Sequence, residues 1–196
     1  NKGQKMDTSS HIIVMLVVGY LMGSVPFARL FTMRSGVNLF EVGTGNPGAA
    51  NVFRKIDKRI GAAVFLADGL KGALPVLIAH SMGAPQDLWI IAGSAAIVGH
   101  WYPIFNRFKG GAGLATGAGV VTGLMPLAGI TGIIAGMLII ARFKSSAHGA
   151  LTGLIVILLL AIPFGYQWPA MVAALIFSTA LFTKASIQGW KPGRKG

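Results

Sequence analysis

Apolar residues gather in seven runs, at 11–33, 61–81, 88–105, 112–124, 127–141, 148–163 and 167–183, parted by short polar or basic stretches. A helix rises about 1.5 Å per residue, so crossing about 30 Å of hydrocarbon takes about 20 residues. The first three runs reach that length and the last four are shorter. Residues 112–141 admit two readings: two short helices parted near Pro126, or one long helix kinked there. The first run extends past the length of a signal peptide and has no small-residue cleavage site followed by polar sequence, so it is predicted to be a retained helix. The pattern predicts an all-α polytopic membrane protein. It has a polar tail at 1–10, a single membrane domain at 11–183 and a basic tail at 184–196.

Charge selects among the topologies. Arg34, Arg54, Lys55, Lys58 and Arg59 fall between the first two runs, and the next connection carries no base. Arg107 and Lys109 follow, then the uncharged Met125-Pro126, then Arg142 and Lys144, then the uncharged stretch 163–167, then Lys184, Lys191, Arg194 and Lys195. Seven spans place thirteen of the seventeen bases on one side. Only Lys2 and Lys5 fall opposite, while Arg29 and Lys71 lie within spans. Fusing 112–141 would send Arg142 and Lys144 outward. The positive-inside rule therefore predicts seven transmembrane helices, several of them short, with the N-terminus outside and the C-terminus cytoplasmic. The polar loops of substance then face the cytoplasm, where chemistry is expected.

Composition sharpens this picture. Apolar residues make up 54% and charged residues 11%, against about 25% charged in soluble domains. Such a chain cannot cover a water-facing surface, so lipid is its main solvent. The net charge of +12 would suggest nucleic acid in a soluble protein. Here it is topological information, and no nucleic-acid partner is expected. The absence of cysteine excludes disulfides and thiolate metal sites. Glycine, 28 of 196 residues, includes the pairs Gly19/Gly23, Gly119/Gly123, Gly132/Gly136 and Gly149/Gly153 at a spacing that lets helix backbones approach closely in lipid.

Several polar residues sit where lipid would exclude them. Ser24 and Arg29 flank Pro26, which removes a backbone donor and can open the helix; Arg29 reads as a base that snorkels to the surface. Gly43, Gly45 and Gly48 lie in one tight loop with Thr44, Asn46, Asn51 and Arg54. This composition suits a nest of N–H groups around phosphate, and suits a plain connecting loop as well. Asp68 and Lys71, at i and i+3, share a helix face as a supporting ion pair or as part of a polar cavity. His100 ends the third run. Lys109-Gly110-Gly111-Ala112-Gly113 then leads to Thr116 at a helix start, where free N–H groups and the positive dipole end favour phosphate. The loop lacks the P-loop spacing. Arg142, Lys144, Ser145, Ser146 and His148 read as a further phosphate patch or an ordinary basic loop. His11 and His80 look incidental. No metal-ligand cluster is visible, and neither metal nor cofactor is expected.

These pieces resemble a known family. The stretch from Gly23-Ser24 to Phe27, the stretch from Gly43 to Asn51 with Arg54, the Asp68-x-x-Lys71-Gly72 motif, and Gly99-His100 continuing through Phe108-Lys109-Gly110-Gly111 to Thr116 resemble the PlsY family of acyl-phosphate:glycerol-3-phosphate acyltransferases. The match runs in the family's order and, more weakly, over nearly the whole chain. It implies seven spans in the bacterial inner membrane and a cytoplasmic site. The implied reaction moves an acyl group from acyl phosphate to the 1-hydroxyl of glycerol 3-phosphate, giving lysophosphatidic acid for phospholipid biosynthesis. On that resemblance Ser24, Asn46, His100 and Lys109 are the catalytic candidates. Phosphate would be held by Gly43, Thr44, Gly45, Gly48, Asn51, Arg54, Lys109, Gly110, Gly111, Gly113 and Thr116, with Asp68 and Lys71 in support. Phe27, Phe105 and Phe108 would border the acyl tail. A substrate phosphate is the expected proton acceptor. The partners are the two substrates and membrane lipid, and the chain is expected to be a monomer.

The sequence departs from the family at several points. Ala112 stands where the family usually has a second lysine, Thr183 and Ser186 stand where it has His and Asn, and a following Glu is missing. Thr44 and Ala50 replace a common Ser and Thr. The alternatives are a catalytically degenerate paralogue that binds lipid phosphate or regulates a partner, and a small transporter.

Overall fold

The computed structural model describes residues 8–189. The start of the polar N-terminal tail, with Lys2 and Lys5, and the end of the basic tail, with Lys191, Arg194 and Lys195, lie outside them. Among the described residues every regular element is helical: α1 (Thr8–Gly23), α2 (Phe27–Thr32), α3 (Ala49–Lys55), α4 (Lys58–Ser81), α5 (Gln86–Trp101), α6 (Leu114–Leu124), α7 (Pro126–Phe143), α8 (Ser146–Ala161) and α9 (Trp168–Gly189). Single 3-10 turns follow α2 at Met33–Ser35 and α5 at Ile104–Asn106.

Five stretches are long and apolar enough to cross a membrane: Ser9–Ser35, Lys58–Ser81, Gln86–Asn106, Pro126–Phe143 and Trp168–Gln188. The remaining apolar helices, α6 and α8, are shorter. The reading of 112–141 as one kinked helix does not hold. Met125 leaves the helical region at φ −138°, ψ 76°, and Pro126 starts α7, where its missing N–H costs nothing. Gly129 then lies against the backbone of Thr122, so the chain turns and α7 packs back on α6.

Two boundaries differ from expectation. The first run is interrupted at Ser24–Pro26, where the ring of Pro26 ends α1 and a short α2 follows. The last run continues past 183, because Thr183-Lys184-Ala185-Ser186 contains no helix breaker before Gly189. Lys184, assigned to the basic tail, therefore belongs to α9.

Helix α6 is the hub. It touches α4, α5, α7 and α9, and Ala115, Thr116, Val120, Val121 and Leu124 on it are buried. All four glycine pairs lie at helix crossings. Gly19 and Gly23 meet Ala92 and Ala96 of α5, Gly119 and Gly123 meet Gly69 and Val76 of α4, and Gly132 and Gly136 face Gly153 and Gly149 across α7 and α8. In lipid there is little gain from burying apolar area between helices, so this backbone proximity is what holds them. Large apolar side chains such as Leu66, Leu138, Leu159 and Ile176 point outward, the arrangement suited to a hydrocarbon solvent.

A Cβ on Gly119 would collide with the backbone of Gly69. Gly119→Leu is therefore expected to lower stability by on the order of 3 kcal/mol, read as a fall in melting temperature of the purified protein. At the start of α4, Asp57 accepts hydrogen bonds from the N–H groups of Ile60 at 2.9 Å and Arg59 at 2.7 Å, which hold its carboxyl below the ordinary value of 3.8. A depressed folded value means that this stabilisation is present above the unfolded value and lost as pH falls through the folded one. An acid titration of melting temperature is expected to be flatter below pH 3.8 in Asp57→Ala than in the wild type.

Candidate active site

The break between α1 and α2 frees the carbonyl of Val25 from helical bonding. Lys71 Nζ of α4 donates to it at 2.7 Å and pairs with Asp68 Oδ1 at 2.9 Å. Both Asp68 and Lys71 are buried, so the ion pair is desolvated and held from three sides, counting the ring of Phe27 at 5.8 Å from Nζ. His100, also buried, comes from the end of α5. Its Nδ1 shares a hydrogen bond of 3.0 Å with Thr116 Oγ1 and lies 3.9 Å from Asp68 Oδ1, beyond hydrogen-bond range. Its Nε2 has no hydrogen-bond partner among the described residues.

The two glycine-rich loops meet directly. Asn46 Oδ1 accepts the backbone N–H of Ala112 at 3.2 Å across 66 residues of chain. Gly111 is wedged between them: a Cβ there would stand 2.9 Å from both Asn46 Oδ1 and His100 Nε2. The irregular backbone of the second loop is fastened at several other points. Trp101 Nε1 donates to Ala112 O at 2.8 Å, Asn106 Nδ2 to Lys109 O at 2.6 Å, and Gln188 Nε2 of α9 to Gly110 O at 3.4 Å. Lys184 of α9 lies 4.9 Å and 4.2 Å from the ring centres of Trp101 and Tyr102. Leu181 fills the space in front of Gly113 and Gly117.

These elements line a small recess that opens to the surface. Asp68, Lys71 and His100 contribute to its wall from the spans. Arg29 and Lys109 bring cations from α2 and the second loop. Pro47, Gly110 and Gly111 bring the two glycine loops to it. Lys109 and Arg29 are exposed, whereas Lys71 is buried, so charge is available both at the mouth and deep inside. Among the described residues no three His, Asp or Glu side chains come together as a metal site.

Other sequence-derived candidates lie off this wall. Asn51 is buried and committed to its own loop: Oδ1 accepts Thr44 N at 3.2 Å, and Nδ2 donates to Val42 O at 3.0 Å and Leu39 O at 3.4 Å. Gly43 and Gly45 take positive φ in the same turn, Thr44 is exposed, and Gly48 precedes α3. Arg54 points to Ser146 at 3.5 Å. Gly113 and Thr116 stand behind the wall, against Leu181 and His100. Ser24 is fully buried beside Gly99, and its hydroxyl has no hydrogen-bond partner among the described residues. In the second basic loop Ser145 caps α8 by accepting His148 N.

Sequence reasoning missed Asn106, Trp101 and Gln188 and read Arg29 as a snorkelling base. Arg29 is exposed, as a snorkelling base would be, and also donates to Asn106 Oδ1 at 2.7 Å. The one local signal was a polar Asn within an aromatic segment, Ile104-Phe105-Asn106-Arg107-Phe108. Arg107 and Phe108 adopt φ of 53° and 58°, a left-handed conformation costing about 1–2 kcal/mol per non-glycine residue.

Comparison with known proteins gives this geometry a context. Residues 13–188 match the family model described as glycerol-3-phosphate acyltransferase. The chain belongs to the glycerol-3-phosphate acyltransferase family. Its relative in Roseiflexus sp. is 39% identical over 176 residues, covering 84% of this chain and 86% of that one. The relative in Geotalea daltonii is 45% identical over 116 residues, and the match spans only 59% of either protein. Among solved structures the fold is similar to the crystal structure of PlsY, an integral membrane glycerol 3-phosphate acyltransferase, in its glycerol 3-phosphate form. The TM-score is 0.80 at 32% identity, covering 90% of this chain and 88% of that one. This family member is thus a multi-pass helical membrane protein.

If Asn46 stitches the loops together, Asn46→Ala removes a bond worth about 1 kcal/mol net. Hydrogen exchange at the Ala112 amide is expected to accelerate about fivefold, with the amides of α8 unchanged.

Proposed function

We propose that this protein transfers a fatty acyl group from acyl phosphate to the 1-hydroxyl of glycerol 3-phosphate, forming lysophosphatidic acid and releasing phosphate. The observation that carries this reading is the recess where two fastened glycine-rich loops meet three cations. Both substrates are phosphorylated, and cationic rim groups with backbone N–H groups from Gly110 and Gly111 suit two phosphates side by side. The PlsY structure in its glycerol 3-phosphate form lends the same support.

In this scheme the alcohol oxygen attacks the acyl carbon and forms the new ester bond. The bond from that carbon to the phosphate oxygen breaks, and phosphate departs with the electron pair and takes up the hydroxyl proton. Acyl phosphate already carries a good leaving group, so the protein's task is to hold alcohol and carbonyl together, worth on the order of 7–11 kcal/mol in favourable cases. Lys109 grips phosphate. Lys71, fixed by Asp68 and Val25 O, supplies positive potential in a site shielded from water. His100, oriented by Thr116, turns an unpartnered Nε2 toward Gly111. Asn46 and Asn51 with Gly43, Thr44, Gly45, Gly48 and Gly113 set the loop shapes. Ser24 is a further candidate beside Pro26, and Arg54 stands further out. Phe27 on the wall and the exposed Phe105 and Phe108 offer an apolar path for the acyl chain.

The proposal includes seven spans with the N-terminus outside and the recess facing the cytoplasm. The spacing of bases supports it, and so does the place of the short α6. Its 11 residues reach only about 16 Å, but it begins at the recess, where irregular backbone is tolerated because it lines a polar cavity.

The degenerate-paralogue reading draws on Ala112, Thr183 and Ser186. An assay with purified protein, acyl phosphate and glycerol 3-phosphate separates the two. Turnover is expected in the wild type, and Lys109→Ala is expected to lower kcat/KM by at least about 100-fold with an unchanged melting temperature. Absence of transfer by a folded wild-type protein would favour the non-catalytic reading.

A further inference from the structure

The recess has two exposed cations at its mouth, on elements far apart in sequence. Arg29 lies on α2 and Lys109 on the second glycine loop. Exposed long side chains ordinarily sample many rotamers, and two free cations make a diffuse anion site. Between these two lies a single buried amide. Asn106 Oδ1 accepts from Arg29 Nη1 at 2.7 Å, and Nδ2 of the same side chain donates to the carbonyl of Lys109 at 2.6 Å. Asn106 is 6% exposed and is the one residue among those described that Arg29 Nη1 bonds.

The backbone around Asn106 reinforces the link. Phe108 N and Asn106 N both donate to Pro103 O, at 2.9 Å and 3.1 Å, and Lys109 N donates to Asn106 O at 3.1 Å. These bonds hold Arg107 and Phe108 in the left-handed region. Residues without glycine's freedom stay there only when their surroundings over-determine them. The consequence is directional: the chain reverses after Asn106, and Lys109 is delivered to the recess wall beside Arg29.

We infer that Asn106 is a positioning residue that couples Arg29 and Lys109 into one clamp for a substrate phosphate. The amide suits this role because its oxygen accepts from the guanidinium while its NH2 donates to the carbonyl. The planar guanidinium keeps its remaining N–H groups for a phosphate's oxygens. The inference rests on the acyl-transfer reading for the identity of its substrates, though not for the existence of the clamp.

The test uses the full chain in nanodiscs. Calorimetric titration with glycerol 3-phosphate, and separately with inorganic phosphate, measures the clamp without turnover. Steady-state kinetics with acyl phosphate and glycerol 3-phosphate measure it during turnover. Asn106→Leu and Arg29→Ala are each expected to weaken binding about tenfold, and the double variant to be no weaker than Asn106→Leu. Asn106→Asp, nearly the same shape, keeps the acceptor for Arg29 and loses the donor for Lys109. It is expected to raise KM for one phosphorylated substrate severalfold while kcat stays within about twofold, and the substrate affected identifies the phosphate held. Multiplying effects in the double variant, or unchanged binding and KM in Asn106→Asp, would overturn the coupling. A wild type that binds glycerol 3-phosphate without transferring acyl groups overturns the acyltransferase reading alone, and the binding series still decides the clamp. A wild type that binds neither glycerol 3-phosphate nor inorganic phosphate overturns both.

Discussion

Irregular backbone packed among helices has to find partners for the polar groups that it buries. The second glycine-rich loop meets that demand through the bond from the Ala112 N–H to Asn46 Oδ1, with Trp101, Asn106 and Gln188 taking the neighbouring carbonyls. Much else follows from this fastening. It brings the first glycine loop beside the second. It lets α6 start deep in the bundle, with His100 and Thr116 at its foot. It also leaves Gly110 and Gly111 on the recess wall with the cations Arg29, Lys71 and Lys109. The glycine at 111 is part of the same constraint, since Asn46 and His100 approach too closely for a side chain.

The departures from the family pattern become intelligible in this frame. Ala112 is 3% exposed, with its N–H and C=O both committed, so the position acts here as a junction between loops. Near the other end, Thr183 turns its hydroxyl back to the carbonyl of Thr179. The neighbouring Lys184 rests on Trp101 and Tyr102, and Gln188 reaches Gly110. The last turns of α9 thus brace the loop through packing, a cation over aromatic faces and one backbone contact.

What could be read from the chain divides along physical lines. Helical runs, the turn at Pro126 and the glycine crossings were legible because they depend on local hydropathy, a missing N–H and small-residue spacing. The meeting of the Gly43–Gly48 and Lys109–Gly113 loops was expected from two anion-suited turns on one side of the membrane. The break after Gly23 was half-legible: Pro26 announced it, but its result, a carbonyl for Lys71, depends on a helix 46 residues away. The extension of α9 to Gly189 was hidden because Thr183, Lys184 and Ser186 are polar yet tolerated in a helix. Arg29 and Asn106 were hidden for a different reason. They are 77 residues apart, and neither forms a motif alone. Asn51 was read as an anion donor from composition, which cannot tell a free amide from one that bonds its own loop, as this one does.

The most direct test of the central claim is an experimental structure with a non-transferable acyl phosphonate and glycerol 3-phosphate bound together. Both phosphorus atoms are expected in the recess, one within about 4 Å of Lys109 Nζ, with the Asn46–Ala112 bond intact beside them. Phosphorus density on the Arg142–His148 loop, or loops 43–48 and 109–113 separated with ligand bound, would contradict it.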